Sequence, residues 1–264
     1  MKTLVLALAL PLLHVPAEAN AQTAPAPSPF EAEWPFDVGE IATYDVTFGP
    51  IRVGRARLAV EAVDTVRATP AYRLSLELEG GPFFYKIDDR TVGWLATEPY
   101  RTVRFEEILN QGGYHRHRRY ELDHELSSYV RQDWDDEAGQ YVAHATERDV
   151  AMPSFALDEI SFLFLVRTLP LDVGHTYVFE NYFQDEGNPV VVQVLRRERV
   201  RVRAGRFETI VVRPIIQTDG LFSEGGEAEV YISDDDERRI VLLKSQMSVG
   251  EMNMYLRDLE TGER

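Results

Sequence analysis

The sequence predicts a mostly β protein, either a curved antiparallel meander or an incomplete barrel, with one main central helix. Three observations support this fold class. Apolar and polar residues alternate along many short segments, turn-forming residues separate these segments, and one apolar stretch in the middle of the chain has helical character. The chain has 264 residues, 44% of them hydrophobic, which suffices for the single β-rich domain that we expect over residues 36–260.

Alternation is clearest before the middle of the chain. In residues 72–79, every second residue is Tyr or Leu and the others are charged or polar, the pattern of a strand with one buried face. Gly-Gly-Pro at 80–82 and Gly-Gly at 112–113 mark turns between such segments. The strands predicted in this half span residues 42–48, 52–63, 72–79, 83–95, 101–109, 114–122 and 127–133.

The one main helix is predicted near residues 158–168. Asp158 and Glu159 stand at its start and Arg167 at its end, which suits the helix dipole, and Pro170 stops it. The residues between these charges are apolar on nearly every side of a helix. Such a helix must be buried, and on a curved sheet it would plug or line the concave face.

A second set of strands follows the helix, so two strand-rich halves are one form of this fold. Asp-Val-Gly precedes a predicted strand in each half, at 37–39 and at 172–174. A shared turn preference explains this echo without any duplication. The strands predicted in this half span residues 176–183, 189–203, 207–217, 228–233, 239–249 and 252–259.

The N-terminal residues have the pattern of a secretory signal. A positively charged start precedes an apolar run at 4–13 and small residues up to Ala21. We expect a signal peptide over residues 1–21 that is cleaved after Ala21, a tether rich in proline and alanine over 22–35, and a periplasmic or secreted mature protein. The apolar run is shorter than the ~20 residues of a membrane-spanning helix, so no membrane span is expected after cleavage.

Charge and composition narrow the partners. The formal net charge is −16, which argues against nucleic acid and against an anionic membrane face, because both attract cationic proteins. The chain has no cysteine, so disulfides and thiol chemistry are excluded. The expected partners are a lipid or another envelope protein.

Several segments, in order, resemble a bacterial domain-of-unknown-function family, number 3108. These segments are Gly39-Glu40 with Tyr44, Val53-Gly54-Arg55-Ala56, Asp158-Glu159-Ile160-Ser161, Leu165-Val166-Arg167-Thr168-Leu169-Pro170-Leu171 with Gly174, Ala204-Gly205-Arg206-Phe207-Glu208-Thr209 with Pro214, Val230-Tyr231-Ile232-Ser233-Asp234-Asp235 with Arg238-Arg239, and Val249-Gly250. The resemblance implies an exported, β-rich envelope protein. It supplies no catalytic residue.

One predicted strand carries a dense group of basic residues. On this strand His115, His117 and Arg119 share one face, whereas Arg116 and Arg118 share the other. Two histidines at this spacing can bind zinc, but three neighbouring arginines oppose a cation, so no metal is expected. The group is a candidate strip for an anion or an acidic partner. The alternative is a solvated strand whose charges pair with nearby carboxylates.

A candidate apolar site combines the central helix with aromatic residues of the strands. If the curved sheet leaves a cavity beside the helix, these side chains could form an aromatic wall for a ligand. The alternative is a packed core without a cavity. The candidate residues are Phe83, Phe84, Tyr85, Trp94, Phe162 and Phe164.

These features favour a non-enzymatic envelope protein that binds an apolar, lipid-like ligand or a partner protein. The sequence contains no nucleophile elbow, zinc-protease motif or phosphate loop, and we expect no catalytic residue and no cofactor. An envelope hydrolase acting on glycan or lipid is one alternative. A purely structural interaction module is another.

Overall fold

The computed structural model describes residues 34–81, 85–216, 228–246 and 250–262, together with the backbone of 22–24. It is mostly β with one α-helix, as the sequence predicts. The helix α1 spans Glu159–Val166, and a short 3-10 helix spans Asp185–Gly187. The strands are β1 Gln22–Ala24, β2 Ile41–Phe48, β3 Ile51–Val66, β4 Thr69–Gly80, β5 Ile87–Ala96, β6 Thr102–Gln111, β7 Tyr114–Asp123, β8 Ser128–Asp135, β9 Gln140–Ala143, β10 Val150–Ala151, β11 His175–Phe179, β12 Val190–Val202, β13 Gly205–Ile215, β14 Ala228–Ser233, β15 Ile240–Gln246 and β16 Glu251–Glu260.

These strands form one continuous sheet. Its order is β1-β11-β12-β13-β14-β15-β16-β2-β3-β4-β5-β6-β7-β8-β10, with β9 also paired to β8. The β1–β11 pairing is parallel, and the other pairings described are antiparallel. Over the described residues the order has two free ends, so the sheet is a curved meander that is not closed into a barrel. The two strand-rich halves are joined where β16 pairs with β2.

The strands follow the alternation of the sequence. In β2, Ala42, Tyr44 and Val46 are buried, whereas the residues between them are partly exposed. In β4, Leu74 is fully buried and belongs to the main core. Because alternate side chains of a strand point to opposite faces, one face of the sheet carries the main hydrophobic core and the other carries most of the charges.

The Asp-Val-Gly echo corresponds to two similar turns. Gly39 and Gly174 both have φ of +92°, which L-residues with a side chain rarely adopt. Their amides donate to Val60 O at 2.8 Å and to Val194 O at 2.9 Å, respectively. Each turn therefore ties the start of a strand, β2 or β11, to another strand of the sheet.

Helix α1 lies against the core face of the sheet. All of its residues from Ile160 to Val166 are buried, as expected for a helix that is apolar on every side. The segment before the helix is fixed by backbone hydrogen bonds, from Leu157 N to Asn181 O at 2.8 Å and from Phe183 N to Leu157 O at 3.1 Å. Within the described residues, no helix is long and apolar enough to cross a membrane.

Candidate functional site

A partly open cavity of about 530 Å³ lies between α1 and the core face of the sheet. Strands from both halves of the sheet contribute to it, and most of its lining side chains are aliphatic. The apolar and aromatic lining residues are Tyr44, Leu58, Leu76, Leu78, Tyr85, Ile87, Leu109, Ile160, Leu163, Ile216, Ile240, Leu243, Met252 and Met254. Small-molecule sites typically have volumes of ~300–1,000 Å³ and apolar walls with a few polar groups.

The polar lining residues include three acids and one base. These are Asp89 on β5, Glu107 on β6, Arg116 on β7 and Glu159 at the start of α1. Arg116 Nη2 donates to Glu107 Oε1 at 2.8 Å. Asp89 accepts from the backbone amide of Asn110 at 2.9 Å and from the side chain of Gln111 at 2.6 Å. We name Asp89, Glu107, Arg116 and Glu159 the polar end of the cavity.

Glu159 is the most perturbed of these groups. Burial, reinforced by the nearby charges of Glu107 and Asp158, raises the pKa of Glu159 to about 8, against the lowering effect of Arg116. The Tyr182 hydroxyl donates to Glu159 Oε1 at 3.0 Å and also favours the ionised form. The raised pKa favours the protonated form of the Glu159 carboxyl near neutral pH.

The pKa of Glu107 is shifted in the same direction as that of Glu159. Burial raises the pKa of Glu107, and the charge of Arg116 opposes this effect. The two carboxyls disfavour each other's ionised form because both lie at the same end of an apolar cavity.

The start of α1 is fixed by Asp158, its N-cap. Asp158 Oδ1 accepts from the amides of Ile160 at 2.8 Å and Ser161 at 2.9 Å, and Oδ2 accepts from the Thr102 and Ser161 hydroxyls, each at 2.6 Å. The helix start also rests on Gly93, because a Cβ there would lie 2.7 Å from Asp158 Oδ2. These contacts fix the position of Glu159 at the cavity.

The other end of α1 is fixed by Arg167, whose side chain is 1% exposed. Its guanidinium donates to both carboxylate oxygens of Glu40, at 2.6 and 3.0 Å. It also donates to Pro35 O at 3.1 Å and to Glu237 O at 2.9 Å. Arg167 therefore joins the helix to the start of β2 and to the turn between β14 and β15.

The aromatic residues proposed from the sequence do not lie together at the cavity. Tyr85 lines it, whereas Phe83 and Phe84 lie outside the described residues. Trp94 lies on the opposite face of the sheet, where its indole donates to Asp64 Oδ2 at 2.9 Å. The cavity walls are thus mainly aliphatic rather than aromatic.

Phe162 and Phe164 are buried on α1 but point away from the cavity. Phe162 packs against Phe179 with ring centroids 5.1 Å apart, and Phe164 packs against Phe36 at 5.0 Å. Phe162 also lines a separate void of about 10 Å³, which is too small for a ligand. The helix residues at the cavity are Glu159, Ile160 and Leu163.

The basic strip on β7 is divided between the two faces of the sheet. Arg116 is at the cavity, and Arg118 lies 3.3 Å from Asp133 Oδ1. On the outer face, the other three members have partners of their own. Arg119 Nε donates to Glu106 Oε2 at 2.9 Å, His115 Nδ1 lies 3.0 Å from Asn110 Oδ1, and His117 stacks on Trp134 at 5.2 Å.

Comparison with known families decides the affiliation of the chain. A family model described as "Protein of unknown function (DUF3108)" matches residues 43–257. The chain belongs to this family. No protein with a curated description matches its sequence.

Solved structures that match this DUF3108 chain share little sequence with it. A beta-barrel-like protein of domain of unknown function DUF1849 from Brucella abortus is 10% identical, with a TM-score of 0.49 over 86% of this chain and 99% of that chain. The hypothetical protein CT021 from Chlamydia trachomatis is 6% identical, with a TM-score of 0.39 over 85% of this chain and 88% of that chain.

The segments that resemble DUF3108 map onto the helix supports. Asp158 and Ser161 hold the start of α1, whereas Arg167 and Glu40 hold its end. The sequence indicates Glu159 only as an acid that suits the helix dipole, and no local pattern marks Glu107 as part of a ligand site. One signal for the cavity was available: Glu159 is the one ionisable residue of α1, whose other residues are apolar except Ser161.

Proposed function

We propose that this DUF3108 protein is exported and holds an apolar, lipid-like ligand in the cavity beside α1. The observation that carries the proposal is a cavity of about 530 Å³ with aliphatic walls and one polar end. In a core without a ligand site, these aliphatic side chains would pack against each other, because unfilled apolar space lowers the stability of the fold. Filling it with an apolar ligand removes the same surface from water.

Export is supported by the sequence. The expected signal peptide, residues 1–21, lies outside the described residues, so its cleavage after Ala21 stays a prediction. N-terminal sequencing of the protein recovered from the periplasm tests it. A periplasmic or secreted location suits a protein that shields a lipid-like molecule from water.

Hydrolysis is less well supported than binding. The described residues that line the cavity include no His, Ser or Cys, so they offer no nucleophile with an adjacent imidazole base. The aliphatic walls also lack the polar groups that a glycan needs. A partner-binding or purely structural role remains the alternative if the cavity takes up no ligand.

The test compares one variant inside the cavity with one outside it. Leu78→Trp would fill part of the cavity, whereas Val63→Trp adds the same side chain at a residue that is 49% exposed and does not line it. The readouts are the fluorescence of the uncharged apolar probe N-phenyl-1-naphthylamine and native mass spectrometry of protein purified from its own periplasm.

We expect the parent and Val63→Trp to bind one probe molecule each and Leu78→Trp to bind much more weakly. Co-purification of a lipid with the parent at near one-to-one would identify the ligand class directly. A parent protein that binds no probe and carries no lipid would refute the proposal and leave the interaction module as the best account.

A further inference from the structure

We propose that the ligand is an amphiphile with a positively charged amine in its headgroup, held by the polar end of the cavity. This inference rests on the proposed function, because it assumes that the apolar tail of the ligand occupies the cavity. It concerns only the chemistry that the cavity selects at the headgroup.

The charge balance of the polar end carries the inference. Among the described residues that line the cavity, three are acids, Asp89, Glu107 and Glu159, and one, Arg116, is a base. Asp158, the N-cap next to Glu159, does not line the cavity, but its charge also disfavours the ionised form of Glu159. In an apolar cavity, unbalanced negative charge attracts a cation and repels an anion more strongly than it would in water.

Arg116 does not reverse this balance. Its Nη2 is already paired with Glu107, so the positive charge is neutralised within the polar end. Its Nε is buried and has no partner among the described residues. A single N–H group can donate to a neutral oxygen, such as a hydroxyl or ester oxygen beside the amine, as well as to an anionic one.

A metal ion is a poorer counterion here than a ligand. Within the described residues, no three His or acidic side chains converge closely enough to hold a metal ion. The acids of the polar end belong to different strands and to α1, and their carboxyl groups are spread along the cavity wall. An ammonium group with several N–H donors matches spaced carboxylates without such convergence.

Protonation of Glu159 gives the inference a distinctive signature. The charged or titratable groups that face Glu159 are Glu107 on β6, Arg116 on β7, Tyr182 after β11 and its neighbour Asp158. In the empty cavity a proton on Glu159 relieves the excess negative charge. A bound ammonium would replace that proton, so binding should release a proton and strengthen as pH rises from about 6 to about 8.

The experiment uses three probes with the same tail: dodecylamine, dodecanol and dodecanoate. Each displaces N-phenyl-1-naphthylamine from the parent protein at several pH values. We expect dodecylamine to bind most tightly and dodecanoate most weakly, by at least about tenfold at pH 7. We also expect the affinity for dodecylamine to rise with pH, with proton release detected by calorimetry in buffers of different ionisation enthalpy.

Variants test whether the acids of the polar end cause the preference for dodecylamine. Glu159→Gln should weaken dodecylamine binding about tenfold and remove its pH dependence, while dodecanol binding is kept. Asp89→Asn provides a second, independent reduction of the negative charge. Glu229→Gln is the control, because Glu229 pairs with Arg196 on the outer face of the sheet.

The outcomes separate this inference from the proposed function. If all three probes displace the reporter but dodecanoate binds as tightly as dodecylamine or more tightly, the amine headgroup is refuted and the apolar cavity stands. If no probe displaces the reporter and the parent does not bind it, both proposals fail. Equal loss of amine and alcohol binding in Glu159→Gln would also refute the headgroup role.

Discussion

The C-terminal end of α1 buries Arg167 against Glu40 and two carbonyl oxygens, whereas its N-terminal end places Glu159 beside Glu107 at the edge of a cavity. At the first end, a positive charge meets a negative one and the space is filled by protein. At the second end, acids outnumber bases among the described lining residues, and protein atoms leave a volume of about 530 Å³. A buried charge held by an opposite charge fixes the fold, and one that is unbalanced beside a cavity is available to a ligand.

The largest loss of stability is expected from disrupting the Arg167–Glu40 ion pair at the C-terminal end of α1. Arg167→Met would leave the Glu40 carboxylate, which is only 13% exposed, without its partner. Removing one partner of a buried ion pair typically costs about 3–5 kcal/mol of unfolding free energy. Urea unfolding of the mature protein measures this loss. The double variant Arg167→Met with Glu40→Met removes both charges and should regain most of the stability. A single variant as stable as the parent would show that this ion pair does not fix the helix.

A smaller effect should follow from removing the helix N-cap. Asp158→Ala deprives two amides and the buried Thr102 and Ser161 hydroxyls of their acceptor, at a cost of about 2 kcal/mol. Asp123→Ala is the matched control, because Asp123 also accepts from two backbone amides, but in an exposed turn. Equal losses in the two variants would mean that burial of the cap adds nothing.

Much of the fold was predictable because alternation determines which residues share a face. It placed the strand β4, the two faces of β7 and a buried helix near 158–168, all as the structure has them. The junction of β16 with β2 was not predictable, since it brings together residues from opposite ends of the chain and no local pattern encodes such a pairing.

The candidate site was harder to predict than the fold. Helix α1 is apolar on all sides, so its pattern cannot tell which side packs against the sheet and which side faces a cavity. In the structure, Phe162 and Phe164 pack into the core, whereas Ile160 and Leu163 line the cavity. The meeting of Glu107, Arg116 and Glu159 depends on strand pairing and helix position together.

The smallest expected effect is on how stability depends on pH, and it compares Glu159, which lies beside other acids, with Glu229, which is paired with Arg196. Glu159 has a pKa raised from 4.5 to about 8 in the folded protein, so folding takes up a proton between these values. Its contribution to stability is complete below about pH 4.5 and is lost as pH rises towards 8. Because the partly open cavity admits solvent, we expect a total loss of about 1–2 kcal/mol, well below the ~5 kcal/mol that the whole shift would give at ~1.4 kcal/mol per pH unit.

Glu159→Gln should abolish that decline, matching the parent at pH 4.5 and exceeding its stability at pH 8. Glu229 provides the opposite case, since hydrogen bonds from Arg196 lower the pKa of Glu229 to about 2. Its contribution is present above about pH 4.5 and is lost as pH falls towards 2, so Glu229→Gln should be less stable than the parent at neutral pH and approach it in acid. Urea unfolding of both variants from pH 3 to pH 8.5 compares the two. If Glu159→Gln keeps the decline of the parent above pH 5, the Glu159 carboxyl is ionised in the empty cavity, and a cationic headgroup would then bind without displacing a proton.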